Sequence, residues 1–141
     1  MQNQIEVNFS ACPQNESFAR VVIAAFAVQL NPTLPEMADI KTAVSEAVTN
    51  AIVHAYPDGV GTVVLTARVK GERLLEYTVK DRGRGIEDIP QAMTPMFTTG
   101  GEERSGLGFT IMESFTDSLK VTSSPGKGTT VRFCKKIAPR L

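Results

Sequence analysis

Residues 81–86 read Asp81-Arg82-Gly83-Arg84-Gly85-Ile86, a carboxylate followed by two glycines at spacing two. The alternating run Leu75, Tyr77, Val79 leads into it, so Asp81 stands at the end of a strand. Glycines there allow positive φ and close approach of the backbone to a flat ring. An ionised carboxylate accepts a hydrogen bond from an exocyclic amine, so Asp81 suits adenine and rejects guanine, which presents a carbonyl at that place. On its own the stretch also fits a strand-end aspartate in a turn, with Arg82 and Arg84 solvated. The rest of the chain decides between these readings.

Upstream, Met37, Ile40, Val44, Ala47, Val48, Ala51 and Ile52 recur at intervals of three and four, which predicts a helix ended by Tyr56-Pro57-Asp58-Gly59. Four residues advance about 400° on a helix, so Glu46, Asn50 and His54 share one strip beside the apolar face. Asparagine is a poor mid-helix residue, and an oxygen ligand to Mg²⁺ supplies a reason for Asn50. Glu46 could then orient or deprotonate a nucleophile near the metal. An isolated Glu/Asn pair would more simply be two boundary residues, but the glycine loops favour the site. His54, one turn further on, reads as a hydrogen-bonded residue at the helix end.

Downstream, Ser105-Gly106-Leu107-Gly108 opens a further helix, expected from about Gly106 to Phe115 with Ile111, Met112 and Phe115 inward. The unpaired N–H groups and positive dipole end of such a helix form a phosphate cradle. The glycines of 106 and 108 otherwise mark only a helix start. No G-x-x-x-x-G-K-[ST] stretch is present, and Gly126-Lys127-Gly128-Thr129-Thr130 does not replace one, so a P-loop is excluded. Carboxylate-glycine loop, second glycine loop and Glu/Asn helix together predict a Mg-nucleotide site.

Period-two alternation in Ile5-Val7-Phe9, Val63-Leu65-Ala67-Val69, Leu75-Tyr77-Val79, Leu119-Val121 and Val131-Phe133 predicts about five strands. Lys70-Gly71-Glu72-Arg73 is a short glycine-containing connection and predicts an antiparallel hairpin. Phe18, Val21, Val22, Ala25 and Gln29 mark a first helix from about Asn15 to Leu30, stopped at Asn31-Pro32. Helices on one face of a mostly antiparallel mixed sheet give an α+β two-layer sandwich. The length of 141 residues predicts one domain, 1–141, with no repeat or linker.

Fifteen basic and fifteen acidic residues cancel, which removes the electrostatic footprint of a nucleic-acid binder. Neither a secretory leader nor a run approaching the roughly 20 apolar residues of a membrane span is found, so a cytoplasmic protein with no membrane contact is expected. Cys12 and Cys134 form no metal spacing and are read as free thiols. Val21 to Val28 is apolar around the whole helix circumference, whereas a helix covering one side of a sheet should show a polar stripe. A second copy of the chain is the economical cover, and a homodimer through this helix is expected.

Ser45-Glu46-Ala47-Val48-Thr49-Asn50-Ala51 resembles the N-box of the gyrase, heat-shock-chaperone, histidine-kinase and MutL ATP-binding superfamily (GHKL, the Bergerat fold). Residues 81–86 match its D-x-G-x-G box, and Arg104-Ser105-Gly106-Leu107-Gly108-Phe109 its second glycine box. Within the superfamily the chain is similar to the sporulation anti-sigma F factors, serine kinases. That likeness runs through Asn15-Glu16-Ser17-Phe18-Ala19-Arg20, Pro95-Met96-Phe97-Thr98-Thr99 and Phe109-Thr110-Ile111-Met112-Glu113.

The resemblance implies a homodimer that binds sporulation sigma factor F when loaded with ATP or ADP and phosphorylates one serine of an anti-anti-sigma partner. It assigns Glu46 as general base, Asn50 as Mg²⁺ ligand and Asp81 as adenine anchor, with Gly83, Gly85, Ile86, Gly106, Leu107 and Gly108 in the loops. Thr98, Thr99, Arg104 and Ser105 would belong to a lid over the phosphates, and Thr130 would lie near the base. Arg104 adjoins the glycine loop, where a guanidinium can offer a fork of donors to a terminal phosphate, although its position alone also fits a solvated arginine. Arg20, beside Glu16, would pair with an acidic residue of the sigma factor. The stretch Thr99-Gly100-Gly101-Glu102-Glu103-Arg104 is glycine-rich and slightly shorter than the lid that the resemblance implies. A general-stress anti-sigma kinase, or a nucleotide-dependent sigma-binding module without kinase turnover, would carry the same boxes. A sensor histidine kinase would need a phosphoacceptor histidine on a separate helix, and the single histidine is His54. A gyrase-type ATPase would continue into a transducer domain, whereas this sequence ends at Leu141.

Overall fold

The structure, a computed structural model, describes residues 3–56, 61–83, 112, 115–124 and 126–139. Its order is β1 (Gln4–Ser10), α1 (Gln14–Ala27), α2 (Leu34–Asn50), β2 (Thr62–Lys70), β3 (Leu74–Asp81), β4 (Ser118–Ser124) and β5 (Gly128–Lys136). The five strands lie in the order β1-β2-β3-β5-β4. All four pairings are antiparallel, so the parallel pair of the expected mixed sheet is absent among the described residues. The expected α+β sandwich is the architecture found, with α1 and α2 lying together on one face of the sheet.

Each element follows from local chemistry. Thr33 caps α2: its side chain accepts the Glu36 N–H at 3.2 Å while the Glu36 carboxylate accepts the Thr33 N–H at 2.8 Å. The buried side of α2 is Ile40, Ala43, Val44, Ala47 and Val48, spacings of three, four, seven and eight from the first. Helix α1 tightens into a 3₁₀ turn at Val28–Leu30, and Asn31 closes it in the left-handed region with φ 53°. Its inward residues are Ala19, Ile23, Phe26 and Ala27, so two of the residues that mark the helix in sequence, Phe18 and Val21, lie outward at 45% and 66% exposure. The predicted hairpin joins β2 to β3 across Gly71, whose φ of +60° meets no Cβ penalty.

Register sorts the sheet into two faces. Leu65, Leu75, Tyr77, Val79, Val131 and Phe133 are buried on the helix side, where the Tyr77 and Phe133 rings stack at 4.8 Å. Full burial of each large side chain there contributes about 1.5–3 kcal/mol. The opposite face is polar: Glu76 is buried beneath Arg68, 2.7 Å away, and Lys70, 3.3 Å away. Burial raises the Glu76 carboxyl, but the hydrogen bonds and charges of Arg68 and Lys70 outweigh it and hold it below the usual range. Met112 of the expected third helix is fully buried, as predicted; the rest of that helix up to residue 114 lies outside the described residues.

Candidate nucleotide site

Helix α2 carries Glu46 and Asn50 one turn apart, both half-buried, at the border of its apolar face. After Asn50 the helix widens into a π-turn, Ala51–Ala55. The wider turn replaces the regular four-residue spacing over Ala51–Ala55, while the side chain of His54 lies outside those described. π-Turns concentrate at functional sites. This one delivers the backbone of Ala55 to the loop after β3. A Cβ on Gly83 would stand 2.2 Å from the Ala55 carbonyl oxygen, so only glycine permits the approach.

Asp81 ends β3 and is 7% exposed. Its Oδ1 accepts the Gly83 N–H at 3.0 Å and the Thr129 N–H at 3.2 Å. Both bonds end on the same oxygen, and Oδ2 takes no hydrogen bond among the described residues. Burial pushes the Asp81 carboxyl above its ordinary value, and the two N–H donors recover only part of that cost. A desolvated carboxylate with one oriented oxygen is chemically matched to an amine donor such as that of adenine. Beside it, Gly128 has φ +98°, and a Cβ there would lie 2.1 Å from the Asp81 carbonyl oxygen.

Thr130, expected near the base, lies on β5 next to the threonine that faces Asp81. Thr130 pairs with Lys80 and Thr122 on the polar face of the sheet, away from Asp81. Thr129 is the threonine on the inner face: it is 8% exposed, opposite Asp81, and its hydroxyl lies 2.8 Å from that of Ser123. The signal was present in the alternation itself, because Val131 and Phe133 point inward and Thr129 shares their parity.

Of the other predicted residues, Glu46, Asn50, Asp81 and Gly83 belong to α2 and to the loop that its extension meets. Gly85, Ile86, Thr98, Thr99, Arg104, Ser105, Gly106, Leu107 and Gly108 lie outside the described residues. Glu16 and Arg20 are brought together on α1, with Arg20 Nε 3.2 Å from the Glu16 carboxylate. The Ser45 hydroxyl donates to that same carboxylate, a contact between α1 and the neighbour of Glu46 that sequence reasoning missed.

The donor set fits Mg-nucleotide. Among the described residues no cluster of three His, Cys, Asp or Glu could cage a metal. A Mg²⁺ ion typically takes one or two protein ligands and completes its shell with phosphates and water, which Asn50 with a nucleotide would satisfy. No described helix is long and apolar enough to cross a membrane.

Comparison with known proteins agrees with this fold. A family model described as the histidine kinase-like ATPase domain matches residues 9–135. The anti-sigma F factor of Thermoanaerobacter sp. (strain X514) is 56% identical over 136 residues, covering 96% of this chain and 94% of its own. That of Bacillus subtilis (strain 168) is 48% identical over 139 residues, covering 98% and 95%. The solved RsbU and RsbW domains of a Mycobacterium tuberculosis protein share the fold, with a TM-score of 0.72 at 19% identity over 98% of this chain and 33% of that one. A blue-light activated histidine kinase of Erythrobacter litoralis gives a TM-score of 0.62 at 27% identity, over 83% of this chain and 40% of its own. With a histidine kinase-like ATPase match over nearly its whole length and about half its residues identical to these relatives, the chain belongs to the anti-sigma F factor family.

Proposed function

We propose that this protein, as a homodimer, binds sporulation sigma factor F and uses Mg-ATP to phosphorylate a serine of an anti-anti-sigma partner. The observation that carries the nucleotide reading is the buried Asp81 carboxylate, oriented by Gly83 and Thr129 in a loop packed against the extension of α2. Mg-ATP supplies the phosphoryl group and the charge neutralisation for its transfer. The serine hydroxyl would attack the γ-phosphorus, its proton would pass to Glu46, and ADP would leave with the bridging oxygen. Asn50 would give its side-chain oxygen to the metal. Thr98, Thr99, Arg104, Ser105 and the glycines of 106 and 108 would surround the phosphates.

The dimer reading rests on α1. Val21 and Val28 are 66% and 62% exposed, an apolar surface beside a groove of about 550 Å³ between α1 and Met37 of α2. Arg20 and Lys41 edge this groove, which suits an acidic partner segment. Identity of 56% and 48% over nearly the full length to relatives named anti-sigma F factor supports the sporulation partner over a stress-response one.

The decisive experiment is incubation with labelled ATP and purified sporulation-type or stress-type anti-anti-sigma proteins. Serine labelling of the sporulation-type partner alone is expected. Labelling only of the stress-type partner would reassign the protein, and nucleotide-dependent sigma binding without labelling would make it a binding module.

A further inference from the structure

The loop after Asp81 is held by a second residue, Tyr56, to which the nucleotide reading gives no role. Tyr56 leaves the π-turn with non-helical backbone, φ −125° and ψ 72°. Its hydroxyl accepts the Arg82 N–H at 2.7 Å and donates to the Thr62 carbonyl at 2.8 Å. The ring lies against Gly61, where a Cβ would come within 2.3 Å of Tyr56 Cε1. Tyr56 therefore bridges the start of β2 and the end of β3 through one oxygen, while its neighbour Ala55 touches Gly83.

These contacts lie on both sides of the peptide that aims Asp81. Gly83 donates to Asp81 Oδ1, so any shift of Arg82-Gly83 moves the N–H that orients the carboxylate. Ala55 blocks that shift sterically from one direction, and the Tyr56 hydroxyl restrains it from another. The same five-residue turn begins at the end of the helix that carries Asn50. Base recognition and metal binding are thus joined through the backbone of residues 51–56.

We infer that Tyr56 is a positioning residue for purine recognition: its hydroxyl sets the Arg82-Gly83 peptide and thereby the aim of Asp81. The inference rests on the nucleotide reading above. Tyr56→Phe in the full chain keeps the ring against Gly61 and removes only the bridge. Loss of one hydrogen-bonded constraint should weaken ATP binding about fivefold and shrink the ATP-over-GTP preference by a similar factor. A merely structural role would lower thermal stability without changing that preference. A wild-type ATP/GTP ratio in a folded Tyr56→Phe protein overturns the inference and leaves the nucleotide site standing. Equal affinity of the wild type for ATP and GTP overturns the adenine-anchor reading itself. Amide hydrogen exchange on the wild type tests the bridge even where the variant does not fold: Arg82 should be protected, and exchange at the unprotected rate sinks the proposal.

Discussion

The carboxylate of Asp81 and the backbone N–H of Thr129 meet at 3.2 Å across 48 positions of sequence. With Gly83 on the same oxygen, this contact commits one side of the carboxylate to the protein and orients the other. Asp81→Asn removes a charge-assisted acceptor at a buried position, which costs about 1.5–3 kcal/mol. ATP affinity should fall about tenfold to a hundredfold, measured by calorimetry. An unchanged affinity would remove Asp81 from the site.

The same residue predicts a pH dependence. Burial raises the folded-state value of Asp81, so its contribution to the stability of the nucleotide-free protein is full below the ordinary 3.8 and is lost as pH rises through the raised value. Adenine needs the ionised form as acceptor. Nucleotide affinity should therefore decline as pH falls through the raised value, and Asp81→Asn should flatten that part of the profile. Equal slopes for wild type and variant, compared in thermal shifts with ADP, would contradict it.

Glu46 and Asn50 should separate chemistry from binding. Glu46→Gln is expected to retain ATP while losing about 10²–10⁴ of the phosphoryl-transfer rate, the usual contribution of a positioned base. Asn50→Ala should impair both rate and the Mg²⁺-dependent part of binding. Full kinase activity in Glu46→Gln would assign the proton elsewhere.

Gly128 and Gly126 provide a matched pair. Both have positive φ, but a Cβ at 126 meets nothing within 4 Å, whereas one at 128 would strike the Asp81 carbonyl at 2.1 Å. Gly126→Ala should cost only the left-handed penalty, about 1–2 kcal/mol by chemical denaturation, and keep ATP binding. Gly128→Ala adds about 1–3 kcal/mol of forced backbone movement and should abolish binding as well, because it displaces Asp81. Equal losses in the two variants would show that the close approach has no consequence for the site.

Val21→Asp tests the dimer. Val21 is 66% exposed in the single chain, so the substitution should alter monomer stability by no more than about 0.5 kcal/mol. In a two-fold interface the charge is buried twice, and sedimentation should shift from dimer to monomer at micromolar concentration. A dimer of undiminished affinity would place the interface elsewhere.

The elements and boxes of this protein are legible in its sequence because they are local. Five alternating runs, the three-and-four spacing of α2, the stop at Asn31-Pro32 and the hairpin at Gly71 each depend on residues within one turn or one strand. Even the inward threonine could be read from the parity of Val131 and Phe133. Tertiary structure alone decided which local features meet. The π-turn that carries Ala55 onto Gly83, the bond from Thr129 to Asp81, the Tyr56 bridge to Arg82 and the Ser45 contact with Glu16 join residues far apart in the chain. Their partners are set by sheet register and by how α1 and α2 lie on it. Periodicity reports which face of an element is apolar, whereas the long-range contacts that build this site depend on the relative placement of several elements at once.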